Sequence, residues 1–156
     1  MGPPVDQSTV APALCRTIQA SLRPQNIHEP ADLTCLFRRH DEAFDAAMEC
    51  IQTDVANGER FYEAELYRVS AECCFRRAEH EDAKARFRQA LEIAQNMQAR
   101  AWELRAAIGL AHVLRKEGRE PEAHQLLAPI YAWYTEGFET KDLRQAKALL
   151  DQLASE

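Results

Sequence analysis

Two groups of residues carry side chains that could do chemistry. Cys73 and Cys74 are adjacent thiols, and the thiolate is the nucleophile and metal ligand of cysteine chemistry. Neighbours on a helix point about 100° apart, and a bond between them would strain the backbone. Packing is therefore the expected role, above all for Cys74. His112 and His124 form the second group, since imidazole serves as general base or zinc ligand. No cluster of carboxylate or thiol partners accompanies them at ligand spacing, so no metal, catalytic residue or cofactor is expected. Cysteines 15, 35, 50, 73 and 74 are odd in number and contain no C-x-x-C pair. Buried free thiols in a reducing cytoplasm are the expectation. The G-x-x-x-x-G-K-[ST] phosphate loop is absent, and with it the commonest nucleotide cradle.

The elements that would position such residues are helices. The 156 residues are 46% apolar and 28% charged, with five glycines and little strand-like alternation, which fits one all-α domain. A net charge of -6 argues against direct nucleic-acid binding, because phosphate binders carry a basic footprint. No apolar run reaches the ~20 residues of a membrane span, and the first residues lack a signal-peptide pattern. A cytoplasmic protein without membrane contact is expected.

Residues 1–30 hold five of the seven prolines, leaving room for at most one helix, over 8–22. From residue 31 the apolar stripes become helical. His40-Asp41-Glu42-Ala43, His80-Glu81-Asp82-Ala83 and Glu120-Pro121-Glu122-Ala123 each place a small residue after an acidic turn, and the three alanines are evenly spaced. Repetition at a period of roughly 20–50 residues marks a solenoid. The pattern predicts a repeat domain over 31–156, with hairpins at about 31–56, 59–97 and 99–134 and a capping helix at about 140–153 with Thr140 as its cap. Gly118 closes one helix and Pro121 opens the next. Pro129 falls inside an apolar stripe, where a bend is expected instead of a stop.

Tyr67, Ala71, Cys74, Ala83, Phe87 and Ala90, and again Leu110, Ala111, Leu114, Gly118, Ala123 and Leu127, resemble the tetratricopeptide repeat. Gln95 stands where that family closes with proline, and the interval from Ala83 to Ala123 is wider than the family's repeat of about 34 residues. The runs around Phe61-Tyr62-Glu63-Ala64, Ala101-Trp102-Glu103-Leu104, Leu127-Ala128-Pro129-Ile130 and Thr135-Glu136-Gly137-Phe138 are similar to the C-terminal repeat region of bacterial signalling proteins with a nucleotide cyclase or predicted ATPase upstream. The resemblance implies a right-handed α-solenoid of antiparallel hairpins with a C-terminal capping helix, acting as an interaction tail.

In such repeats ligands lie against the first helix of each hairpin. Carried over by position, that face comprises Glu65, Arg68, Val69, Glu72, Phe75 and Arg76 in one unit and Arg105, Ile108, Gly109, His112, Arg115 and Lys116 in the next. Its surplus of Arg and Lys suits an acidic protein or peptide partner, with Arg68, Glu72, Arg76, Arg105, His112, Arg115 and Lys116 as binding candidates. The same charges also suit a solvated face with i,i+4 pairs such as Glu72 with Arg76. A non-enzymatic interaction module of a bacterial signalling system is the leading expectation. The alternatives are an accessory module of a transcription regulator acting through a DNA-binding partner, and a small thiol- or histidine-dependent enzyme. Trp102, Tyr131, Trp133 and Tyr134 are expected in the core or cap, or as a partner surface where several are exposed together.

Overall fold

The computed structural model describes residues 45, 47–52 and 63–155. The expected helix over 8–22 and the stripe before residue 45 lie outside them. Residues 45 and 47–52 are helical, and Ala47, Cys50 and Ile51 are buried. Five helices follow: α1 (Glu63–Arg76), α2 (His80–Asn96), α3 (Arg100–Lys116), α4 (Glu120–Ala132) and α5 (Lys141–Leu153). Among the described residues every regular element is a helix, and none is long and apolar enough to cross a membrane.

Helices α1 to α4 are joined by short turns built alike. Each turn holds one residue in the left-handed region: Ala78 at φ 63°, Gln98 at φ 53° and Gly118 at φ 71°. The following amide reaches back to close the helix, from Glu79 to the Cys74 carbonyl (3.0 Å), Ala99 to Ala94 (2.9 Å) and Arg119 to Leu114 (2.9 Å). These bonds satisfy carbonyls that a helix end would leave without partners. The left-handed residue thus recurs at even intervals, twice as often as the acidic phrase in the sequence. The next helix begins on the same residues, with Ala83, Glu103 and Ala123 donating to the carbonyls of Glu79, Ala99 and Arg119. No side chain caps these starts, and Thr140 occupies the N-cap of α5 in extended conformation without a side-chain cap bond. The backbone supplies the boundaries.

Each helix packs on the next, and α3 also touches α1 and α5. Being central, α3 buries a wide sector: Leu104, Ala106, Ala107, Ile108, Leu110, Ala111, Val113 and Leu114. Ala83, Ala90 and Ala94 of α2 and Ala123 of α4 have no exposed surface, so small residues do mark the close approaches. Phe87 of α2 is 1% exposed, and a Cβ on Gly109 of α3 would lie 2.2 Å from its Cε1 and 2.5 Å from its Cζ. The ring fills the volume that a side chain on α3 would need. Helix α4 runs on through Pro129 to Ala132, with Pro129 on its exposed side, where the surrendered backbone bond opens to water instead of the core. Helix α5 seats Leu143, Ala146, Leu149 and Leu153 against the bundle.

Two predictions test this packing. Gly109→Ala gains about 0.8–1 kcal/mol of helix propensity, but overpacking against a buried ring costs about 1–3 kcal/mol. A net loss is expected in urea denaturation, and an equal or higher midpoint would show that Phe87 can move aside. In the turns, a non-glycine left-handed residue costs about 1–2 kcal/mol, offset in part by the entropy of a glycine in the unfolded chain. Ala78→Gly and Gln98→Gly should each raise stability by about 0.5–1 kcal/mol, whereas Gly118→Ala, which has open space around it, should lower it. Equal melting temperatures across the three would refute the turn geometry.

Candidate functional site

The helical spacing of Glu65, Arg68, Glu72 and Arg76 puts them on one face of α1, beside Arg105, His112 and Arg115 on α3 and Asp142 and Gln152 on α5. At the N-terminal end of this face the side chains form a chain of charges. Arg68 Nη2 lies 2.9 Å from Glu65 Oε1, Arg105 Nη1 lies 3.9 Å from the same oxygen, and Arg105 Nε donates to Asp142 Oδ2 at 2.7 Å. Glu65 is 1% exposed. Burial pushes its carboxyl up, but the charge and hydrogen bond of Arg68, with Arg105 behind, outweigh it and hold the group below the ordinary range. Glu65 Oε2 and Arg68 Nε are buried without hydrogen-bond partners.

At the other end, Arg76 pairs with Glu72 at 3.3 Å, Arg115 Nη1 donates to the neutral amide oxygen of Gln152, and Lys116 is exposed. His112 sits half-buried between the two ends. Its pKa is lowered by burial first and by Arg115 second, with Glu72 opposing, so the imidazole is neutral near pH 7.

The face the sequence outlines is therefore partly closed. Val69 and Ile108 are buried in the core, and Gly109 faces the Phe87 ring of α2. Arg105 is taken up by Asp142 and Glu65, while Arg115 makes no ion pair among the described residues and bonds the neutral Gln152 amide. Sequence reasoning misses Asp142 and Gln152, because both lie on the helix that the pattern reads only as a cap. It also misses Lys84, whose Nζ bridges Glu81 and Glu117 at 2.8 Å each and ties α2 to the turn before α4.

Cys73 and Cys74 are free and buried. Burial pushes the Cys73 thiol up to about 11 against the nearby Arg77, and burial raises Cys74 as well. Neither is a thiolate at neutral pH. Cys50 is buried. His124 lines a shallow depression with Glu120, Pro121, Gln125, Leu153 and Ala154. Among the described residues no group of three or more His, Cys, Asp or Glu could hold a metal ion. Of the aromatic residues expected in core or cap, Trp102, Tyr131 and Tyr134 are half-buried and Trp133 is exposed.

The His112 environment predicts a pH dependence. With the folded pKa below the unfolded one, the unfolded chain binds more protons as pH falls through the unfolded value of about 6.5, so stability falls on acidification. Urea midpoints measured at about pH 7 and about pH 5.5 should drop in the native sequence and drop less in His112→Gln. The same drop in both would remove His112 as the cause.

No known protein family, curated protein or solved structure matches the chain, and the tetratricopeptide and cyclase-associated resemblances rest on the quoted residues alone.

Proposed function

We propose that the chain is a non-enzymatic interaction module, a right-handed tetratricopeptide-like solenoid that binds an acidic protein or peptide segment on the face of α1, α3 and α5. The evenly repeated turns and the contacts among these three helices support the solenoid. The observation that carries the binding reading is the cationic end of the face: Arg115, hydrogen-bonded to a neutral amide, stands beside exposed Lys116 and half-buried His112. Guanidinium is suited to carboxylates because its fork donates two parallel bonds. Arg68 and Arg105 serve the scaffold in this reading, since both are engaged by Glu65 and Asp142. Buried, protonated thiols at Cys73 and Cys74 favour a binding role over a thiol enzyme. A place in bacterial signalling follows only from the resemblance.

A fluorescein-labelled peptide of alternating glutamate and glycine provides the test. It should bind saturably, weaken with salt, and lose about ten-fold in affinity in Arg115→Gln with Lys116→Gln, the effect of losing a charge-assisted hydrogen bond. Arg105→Gln should instead lower the melting temperature. Binding that ignores the 115/116 pair would defeat the proposal.

A further inference from the structure

The loop between α4 and α5 presents a second surface, at the opposite end of α3. Trp133 is 57% exposed and Phe138 44% exposed, whereas among the described residues the other large apolar side chains, Met97 apart, are buried or half-buried. Both rings are held in place. Trp133 meets Tyr134 edge-on at 5.3 Å, Phe138 tilts over Tyr131 at 5.8 Å, and the Tyr134 hydroxyl donates to the Arg100 carbonyl at 2.7 Å. The Gly137 carbonyl accepts from Thr140 at 2.9 Å, closing the loop. The aromatic surface is preformed, so little ordering would be needed on binding.

One face of the indole already holds a cation. The Arg100 guanidinium lies 5.0 Å from the Trp133 ring centroid while pairing with Glu103 at 2.7 Å. This arrangement, a guanidinium stacked on the ring and bonded to a carboxylate, is the geometry an incoming cation would repeat. The exposed loop supplies the second half of it: within residues 133–140 the only charged side chains are Glu136 and Glu139, both exposed. Lys141 follows at the start of α5 and sets the limit of the acidic stretch.

We infer that the Trp133–Phe138 loop is a docking surface for a short basic peptide segment, its arginine or lysine side chains stacking on Trp133 and Phe138 and pairing with Glu136 and Glu139. Charge selects this occupant. Arg100 on the Trp133 ring is paired with Glu103, so Glu136 and Glu139 against Lys141 leave the exposed loop net negative, which disfavours anionic lipid and acidic chains. The exposed apolar area is two side chains wide, which suits a peptide better than the roughly 800 Å² per partner of a stable protein interface. Aromatic and cationic groups stacked in this way contribute more as water is excluded.

The test uses the full chain and an acetylated, fluorescein-labelled peptide of alternating arginine and glycine, followed by anisotropy. Saturable binding that weakens with salt is expected. Glu136→Gln with Glu139→Gln should weaken it about ten-fold, and Trp133→Leu by a similar factor, with far-UV circular dichroism unchanged in both. Phe138→Ser gives a second aromatic variant outside any helix. Arg115→Gln with Lys116→Gln should leave the affinity as it is, which separates this surface from the one proposed above. Absence of saturable binding, or binding indifferent to the loop variants, would overturn the inference. So would two other results: self-association of the chain in sedimentation that Trp133→Leu abolishes, which would make a second copy the occupant, or sedimentation with phosphatidylcholine vesicles lost in that variant, which would make it a lipid surface.

Discussion

The arrangement depends on one close approach, the Phe87 ring of α2 lying where a side chain of α3 would be. Helices usually pack about 8–10 Å apart according to the side chains between them, and Gly109 removes the spacer at that point. The ring then serves as the spacer for both helices. On the same side of each helix the buried positions are small: Ala83, Ala90 and Ala94 on α2 and Ala106 on α3, each three, four or seven residues from Phe87 or Gly109. Because α3 touches each of the other four named helices, fixing α3 against α2 fixes the rotation of α3 about its own axis. That rotation decides which residues of α3 look toward α1 and α5, and so where Arg105, His112 and Arg115 stand.

The charge cluster is a second constraint laid on the first. A carboxylate buried like Glu65 is costly unless opposite charges surround it. Arg68 comes from the same helix, whereas Arg105 is brought by α3 and Asp142 by α5. Two helices, α1 and α3, must therefore keep register for one buried carboxylate to remain ionised, while Asp142 of α5 holds the far side of Arg105. Removing Arg68 would leave Glu65 buried with only the more distant Arg105 as a counter-charge, which is why such pairs are better evidence for a specified arrangement than for net stability. The unfilled Glu65 Oε2 and Arg68 Nε show that the network is incomplete even so.

How much of this could be read from the chain follows from which interactions are local. The all-helical class is legible in the apolar periodicity, and the small residues Ala83 and Ala123 are legible as contacts because their neighbours repeat. Pro129 is legible as a residue the helix passes through, since Ile130 and Tyr131 continue the stripe. The turn at Gln98 is not: glutamine carries no left-handed preference, and only the backbone bond from Ala99 to Ala94 shows that this turn matches those at Ala78 and Gly118. Gly109 reads as a groove position because sequence gives no measure of a ring on the preceding helix. Asp142 and Gln152 look like ordinary polar residues of an amphipathic end helix until α5 is seen to lie beside α3.

The distribution of charge along the face has a cause that precedes any ligand. Short turns make successive helices antiparallel, so α1, α3 and α5 run in the same direction, as the pairing of Glu65 with Arg105 and of Arg105 with Asp142 near their starts requires. Their N-terminal ends, each with a partial positive charge, lie side by side, and so do their negative C-terminal ends. Acidic residues in the first turns, Glu65, Glu103 and Asp142, and basic residues in the last turns, Arg76, Arg115 and Lys116, answer that alignment. Arg68 and Arg105 balance the acidic end, and α5 has no basic residue in its last turn, so the bias is carried by the last turns of α1 and α3, about 24 Å from the first over the length of α3. Under the proposed binding role, the same placement would give the face a basic end and a polarity. An acidic segment lying across it would meet unequal ends, so such a ligand would bind in one direction.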